Sequence, residues 1–118
     1  MNEIKYSTSL NSLIYQDSVA IRTEVFVNEQ NVPKELEIDD LENKCTYFVL
    51  YKENKAVACA RFFPTADNGI HVQRVAVLKE YRHKNLGTEL LNYIFNFVTK
   101  ENYSYIVLGA QDHAQNFL

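Results

Sequence analysis

Residues 72–91 read VQRVAVLKEYRHKNLGTELL, and this stretch decides the fold. Its first part, up to Val77, is rich in valine, which favours a buried strand. A short basic loop follows. From Leu86 onward, apolar residues recur at helical spacing, with further members at positions 90, 91, 94, 95 and 98. The stretch therefore predicts a strand, a tight loop and an amphipathic helix.

The predicted loop has the chemistry of an anion-binding site. First-turn amides of a helix lack intrahelical acceptors, and the helix dipole adds positive partial charge there. Gly87 lets the backbone approach a phosphate closely, Arg82 and Lys84 add charge, and the Thr88 hydroxyl can donate. A simple connection with solvated charges would have the same composition, so the loop alone leaves both interpretations open.

The rest of the chain supplies further strands and helices. Asn11 or Ser12 is suited to cap a first helix that runs through Val27, and Asp67-Asn68-Gly69 is the strongest turn signal. The predicted strands are residues 4–6, 46–51, 56–63, 70–77 and 103–109. The predicted helices are the first one, a second from residue 86 to about 98, and the start of a third at 113–117.

This order places antiparallel strands first and a β-α-β crossover last. It predicts an α/β fold with a mixed, mostly antiparallel sheet and helices on both faces. The length of 118 residues suits one domain, residues 1–118, with a sizeable core.

Composition excludes several functions. A net charge of −3 gives no broad cationic surface for nucleic acid or anionic lipid. No run approaches the roughly 20 apolar residues of a membrane helix, and no signal peptide opens the chain. Cys45 and Cys59 lie in apolar runs without metal-ligand spacing, which predicts two buried thiols and no metal. We expect a cytoplasmic protein with a small anionic ligand.

Within this stretch, RVAV (residues 74–77) followed by EYRHKNLGTELL (residues 80–91) resembles the acetyl-CoA signature of the GNAT superfamily of N-acetyltransferases. The superfamily loop reads Arg/Gln-x-x-Gly-x-Gly/Ala, and here Asn85 stands at its first glycine. Asparagine tolerates left-handed backbone better than other non-glycine residues. Residues 22–40 and 108–117 are similar to further superfamily segments in the same order. The resemblance covers nearly the whole chain from about residue 10.

The resemblance implies an acetyl-CoA site between the fourth and fifth strands. In the superfamily these strands splay apart, and the pantetheine arm bonds to the fourth strand as an added strand would. The loop amides bind the pyrophosphate, and position 111 often holds a cofactor-contacting asparagine. The implied cofactor-binding residues are Val75, Ala76, Val77, Arg82, His83, Lys84, Asn85, Leu86, Gly87, Thr88 and Gln111.

The implied reaction is direct attack of an amine on the thioester. The amine must first lose a proton, and a fourth-strand amide near Val77 is expected to stabilise the oxyanion. Glu29 and His113 are candidates for catalysis. The tyrosine general acid of many relatives would fall at or next to Leu118, and Ile106 occupies the place of a fifth-strand carboxylate. Two alternatives therefore stay open: a non-catalytic acyl-CoA-binding module, and a protein-interaction domain using an exposed sheet edge.

Two further features have competing interpretations. Glu29 and an acidic run either line a site for a cationic amine or form a solvated loop, and the low apolar content favours the loop. The run comprises Glu35, Glu37, Asp39, Asp40 and Glu42. His71 is a candidate base, although a structural histidine is the commoner case, and Arg74 is suited to pair with an acidic residue.

The superfamily sheet normally continues with two further strands that this sequence lacks. We expect either a truncated chain or a partner subunit, such as a second copy in a homodimer, that covers the fifth strand.

Overall fold

The computed structural model describes residues 2–108. In this part of the chain, five strands form one sheet in chain order. They are β1 (Asn2–Ser7), β2 (Thr46–Lys52), β3 (Lys55–Pro64), β4 (Gly69–Val77) and β5 (Tyr105–Leu108). Strands β1 to β4 pair antiparallel, and β5 pairs parallel to β4. The predicted mixed, mostly antiparallel sheet is confirmed.

The first helix changes its geometry along its length. Helix α1 (Leu13–Arg22) begins at the predicted cap Ser12, whose hydroxyl accepts from the Tyr15 amide at 3.1 Å. After Arg22 the helix widens into a π-helix, Thr23–Glu29, named here the π segment. A short helix α2 (Lys34–Glu37) and a 3₁₀ turn (Glu42–Lys44) follow. The sequence predicted one helix through Val27, and the helical stretch does extend to this point, but the change from α-helix to π-helix was not predicted.

Helices cover both faces of the sheet, as predicted. Helix α3 (Leu86–Lys100) packs Leu90 and Ile94 onto one face, where they contact alternate residues of β2, β3 and β4. Helix α1 and the π segment pack Ile21 and Phe26 onto the opposite face. The two apolar layers fix the position of the loop that joins β4 to α3. Cys45 and Cys59 are free and buried, as expected.

Tight turns connect the strands where the sequence predicted them. Glu53 and Asn54 both have left-handed backbone, with φ of 51° and 69°, which suits a two-residue hairpin. Asn68 has φ of 67° before β4. Gly69 lies directly against the ring of Tyr105 on β5, so a side chain at position 69 would force that ring to move.

The acidic run is only in part the solvated loop that the sequence favoured, since Glu35 and Asp40 are exposed but two other members are buried. Glu37 and Glu42 are only 3% and 6% exposed. Three arginines from α1, β3 and β4 enclose them, and Arg22 and Arg61 are fully buried. We call this set the ionic network. Its members are Arg22, Arg61, Arg74, Glu37, Asp39 and Glu42.

Arg22 and Arg61 converge on one carboxylate in this network. The Arg22 Nη1 and Nη2 atoms donate to the two oxygens of Glu42 at 3.0 and 2.9 Å, and its Nε donates to Glu37 at 2.6 Å. Arg61 Nη1 donates to Glu42 at 2.7 Å. Hydroxyls of Tyr15 and Tyr47 donate to the same carboxylate at 3.0 and 3.1 Å. Because each buried charge has several partners, the network is nearly fully satisfied.

The two buried carboxylates titrate differently. Burial opposes ionisation of Glu42, but the hydrogen bond and charge of Arg22, then the Asp39 amide and Arg61, outweigh it and lower the pKa of Glu42 below its ordinary value. Burial dominates at Glu37 and raises its pKa despite Arg22 and Arg74. The contribution of Glu42 to stability is therefore present above its unfolded pKa of about 4.3 and is lost as the pH falls toward its folded pKa.

We expect Glu42→Gln to destabilise the fold by about 3–5 kcal/mol at neutral pH, because it leaves Arg22 and Arg61 without their shared charge. Acid removes the stabilising contribution of Glu42 from the wild type, whereas the variant has already lost it. Acid should therefore lower the stability of the wild type more than that of the variant, and Glu37, whose raised pKa has the opposite effect on stability, is present in both. Urea unfolding between about pH 7 and about pH 3 measures both effects.

Glu35→Gln is the matched control, because Glu35 is exposed in the same segment. It should change stability by less than about 0.5 kcal/mol. Equal loss of stability in acid for the wild type and Glu42→Gln would contradict the assignment.

Candidate functional site

A β-bulge interrupts the regular pairing of β4 with β3. The β3–β4 register passes from Cys59↔Ala76 to Arg61↔Gln73, so β4 has one more residue than β3 between these pairs. Arg74 lies at the bulge with left-handed backbone, φ 55°. This conformation costs roughly 1–2 kcal/mol for a non-glycine residue, so other contacts must hold it.

The ionic network supplies those contacts. The Arg74 Nε atom lies 2.7 Å from the Glu37 carboxylate, and its Nη2 donates to Asp39 at 3.1 Å. The buried Cys59 thiol lies 3.6 Å from the Arg74 carbonyl oxygen. The predicted pairing of Arg74 with an acidic residue is confirmed, and its effect is to hold the bulge in place.

Strand β4 extends past its described pairing with β5. The two strands pair from Gly69↔Tyr105 to Val72↔Leu108. Within residues 2–108, the end of β4 from 73 to 77 has no partner in β5. This stretch includes Val75, Ala76 and Val77, whose backbone the resemblance assigned to the pantetheine arm. All three side chains are buried, so the backbone is the part of β4 available to an added strand.

The loop after β4 bends twice through left-handed residues. A 3₁₀ turn, Lys79–Tyr81, leads to His83 and Asn85, each with φ of 64°. Asn85 immediately precedes α3 and has ψ of 18°. The asparagine at the usual glycine position therefore adopts the left-handed conformation itself, and the tight bend is kept.

This loop leaves a group of amides unpaired in front of α3. The first amide that bonds back is that of Glu89, which donates to the Asn85 carbonyl at 3.0 Å. In the described chain, no backbone acceptor pairs with the amides of residues 83 to 88. Lys84 and Thr88 are exposed beside them, and Leu86 and Gly87 are buried. The α3 terminus is therefore a polar, positively polarised surface with open donors.

Arg82, one of the charges that the sequence places in this loop, is paired with a carboxylate. Its Nη1 and Nη2 atoms donate to both oxygens of Glu29 at 2.6 and 2.7 Å, and its Nε donates to the Val77 carbonyl at 2.9 Å. We call this arrangement the Arg82 clamp. The hydrogen bond from Arg82 lowers the pKa of Glu29, so that carboxylate stays ionised and is a weak proton acceptor. The clamp joins the π segment to the end of β4.

A cavity of about 320 Å³ is lined in part by Glu29 of the clamp. Its lining contains three carboxylates and one lysine, so it would repel a phosphate. The lining residues are Glu24, Asn28, Glu29, Leu78, Lys79 and Glu80. This cavity is therefore a poor site for an anionic ligand.

The structure brings together ten of the predicted cofactor residues, from Val75 to Thr88, along the end of β4 and the loop to α3. Gln111 and His113 lie outside the described residues. His71 stacks on Phe63 with ring centroids 5.0 Å apart, a packing role. Sequence reasoning missed the pairing of Glu29 with Arg82, which are 53 positions apart in the chain.

Comparison with known proteins identifies the family. The acetyltransferase (GNAT) family profile matches residues 13–118. The chain belongs to this family of acyl-transferring enzymes, and the resemblance drawn from residues 72–91 is confirmed.

Individual relatives agree with this assignment. The uncharacterized N-acetyltransferase YjcF of Bacillus subtilis is 35% identical over 102 residues, covering 86% of this chain and 72% of YjcF. The crystal structure of a Lactobacillus plantarum protein described as an N-acetyltransferase has a TM-score of 0.87 at 27% identity, and the match covers 98% of this chain and 80% of that one. The crystal structure of Escherichia coli ElaA has a TM-score of 0.83 at 28% identity, and the match covers 99% of this chain and 83% of ElaA.

One further finding concerns membranes. Within residues 2–108, no helix combines the length and the apolar character needed to cross a bilayer.

The loop geometry predicts opposite effects for two substitutions at Asn85. Asn85→Gly should keep or slightly raise stability, because glycine adopts left-handed backbone without a Cβ penalty. Asn85→Val should lose about 1–2 kcal/mol, because a β-branched residue is strained at positive φ. Thermal and urea unfolding of both variants measure this. Equal stability of the two variants would show that position 85 is not left-handed in solution.

Proposed function

We propose that this chain is an N-acetyltransferase that transfers the acetyl group of acetyl-CoA to an amine. One observation carries the proposal: amides of residues 83 to 88, which have no backbone acceptor among the described residues, lie at the N-terminus of α3, shortly after the end of β4. An anion site next to the end of a strand suits a ligand with a diphosphate at one end and an amide-containing arm at the other.

In this proposal the diphosphate binds the loop and the arm lies along β4. The amides of His83 to Thr88 donate to phosphate oxygens, and Lys84 adds positive charge. The backbone of Val75, Ala76 and Val77 bonds to the pantetheine amides. The Val77 carbonyl already accepts from Arg82, so the arm relies on the other backbone groups of this stretch.

The acyl transfer itself proceeds by direct attack. The amine loses its proton to a carboxylate or to water, its nitrogen attacks the thioester carbonyl, and a β4 amide near Val77 stabilises the oxyanion. The carbon–sulfur bond then breaks, and the thiolate leaves and takes up a proton. The chain's own contribution is to position the thioester and to provide fixed dipoles where charge develops.

Glu29 takes a positioning role in this scheme. It was one of two weak candidates for catalysis, but both its oxygens accept from Arg82 and its pKa is lowered. An ionised carboxylate already paired with a guanidinium is a poor base. We propose instead that Glu29 holds Arg82, and through it the loop, in the binding geometry.

Cofactor binding is the first test, by calorimetric titration of acetyl-CoA into the wild type and into Thr88→Glu. Thr88 is exposed in the first turn of α3. A carboxylate there suits the helix dipole but repels a diphosphate, so affinity should fall at least about tenfold without loss of stability. Gly87→Trp, which fills the space in front of the amides, should also abolish binding.

Asn96→Glu is the matched control, because it adds the same charge to an exposed position of α3 away from the loop. It should bind like the wild type. Titration of dephospho-CoA and of other acyl-CoA thioesters tests donor preference, and thiol release with a panel of amines tests turnover. Wild-type protein that fails to bind at about 1 mM acetyl-CoA would refute the proposal. Binding without turnover would favour the acyl-CoA-binding module.

The Glu29 assignment has its own kinetic test. Glu29→Gln should weaken acetyl-CoA binding several-fold, because it loosens the Arg82 clamp, and should leave the shape of the pH–rate profile unchanged. Asn28→Ala on the same exposed surface is the control. Disappearance of the acid limb of the profile in Glu29→Gln would instead identify Glu29 as the base.

A further inference from the structure

The outer edge of β1 is regular and open. β1 pairs with β2 along its whole length, from Asn2↔Lys52 to Ser7↔Tyr47, without a register shift. Within the described residues, no strand pairs with its other side. The strand contains neither proline nor a bulge, two features that commonly protect such edges. Its outward-facing backbone groups can therefore pair with another strand.

Apolar and charged side chains of β1 lie on opposite faces of the sheet. Ile4 and Tyr6 lie on the α3 face, where the Tyr6 ring packs edge-on against Phe97 with centroids 4.9 Å apart. Glu3 and Lys5 lie on the opposite face and are mostly exposed, with 3.9 Å between the Lys5 Nζ and Glu3 Oε1 atoms. One face of the edge is thus apolar, and the other carries one charge of each sign.

This pattern is complementary to itself. In an antiparallel pair centred on Ile4, the two Ile4 residues face each other. Glu3 of each copy then faces Lys5 of the other, on the same side of the joined sheet. Opposite charges directly across an antiparallel pair stabilise it. Centring the pair on Glu3 or on Lys5 would place like charges together, so the charges select one register.

The α3 face adds apolar contact at the same edge. Tyr6 is 50% exposed, which is high for an aromatic residue in a strand. In the pair centred on Ile4 it faces Asn2 of the second copy and can cover that copy's Ile4. A groove of about 290 Å³ adjoins this area, lined by Tyr93, Asn96, Phe97 and Lys100. Pairing would remove exposed aromatic surface from water on both copies.

We propose that the chain forms a two-fold homodimer through antiparallel pairing of β1, with the two sheets joined into one. The contact is one short strand and a few side chains, so the dimer belongs to the small, reversible class of interfaces. Salt should weaken it, because both charge pairs lie at an exposed surface. This inference is independent of the proposed acyl transfer.

Charge reversal at β1 tests the register directly. Glu3→Lys or Lys5→Glu alone turns both attractive pairs into repulsive ones, and we expect the dimer to weaken by about tenfold or more. The double variant Glu3→Lys with Lys5→Glu restores complementarity and should dimerise like the wild type. A mixture of the two single variants should form a heterodimer. Sedimentation velocity over a concentration series measures the dimer affinity of the two single variants, the double variant and the mixture.

The exposed ion pair Lys55–Glu80 provides the control. Reversing either of its charges should leave dimerisation unchanged, and thermal unfolding checks that every variant is folded. Wild-type protein that stays monomeric up to about 1 mM would overturn the proposal. So would a dimer that the single reversals do not weaken, or a mixture that fails to pair, because the contact would then lie elsewhere.

Discussion

The ionic network is the constraint on which the rest of the structure depends. It places fully buried guanidinium groups of α1 and β3 against carboxylates of the segment between the first helix and β2. Isolated charges would be very costly at these positions, so the segment can occupy only the path that brings Glu37 and Glu42 to Arg22 and Arg61. The network thereby fixes the π segment, the acidic run and the middle of the sheet relative to one another.

The same network reaches the candidate site through Arg74. Its side chain pairs with Glu37 and Asp39, and its backbone forms the bulge at which β4 departs from regular pairing. A second set of contacts, the Arg82 clamp, ties the end of β4 to the π segment from the other side. The end of β4 and the amides before α3 therefore lie between two fixed points. The proposed binding surface is thus held in place by contacts within the chain, which lowers the cost of ordering it on binding.

The elements of the fold could be predicted from the sequence because their signals are local. Valine-rich strands, the Asn68-Gly69 turn and the apolar stripe of α3 are each visible within a short window. The loop between β4 and α3 was predictable for the same reason, and Asn85 took the left-handed backbone that its side chain tolerates. The π segment could not be read from spacing, because apolar periodicity does not distinguish it from an α-helix. The burial of Glu37 and Glu42 was missed because their arginine partners are distant in the chain.

The order of the strands has a consequence for how the chain acquires its structure. Strands β2, β3 and β4 are joined by short turns and are neighbours in the sheet, so closing them costs little loop entropy. β1 must pair with a strand about forty residues later, which makes its contacts strongly non-local. The three-stranded meander can thus serve as the folding nucleus, with β1 and the ionic network joining afterwards. Substitutions in the meander would then slow folding, whereas substitutions in the network would mainly speed unfolding.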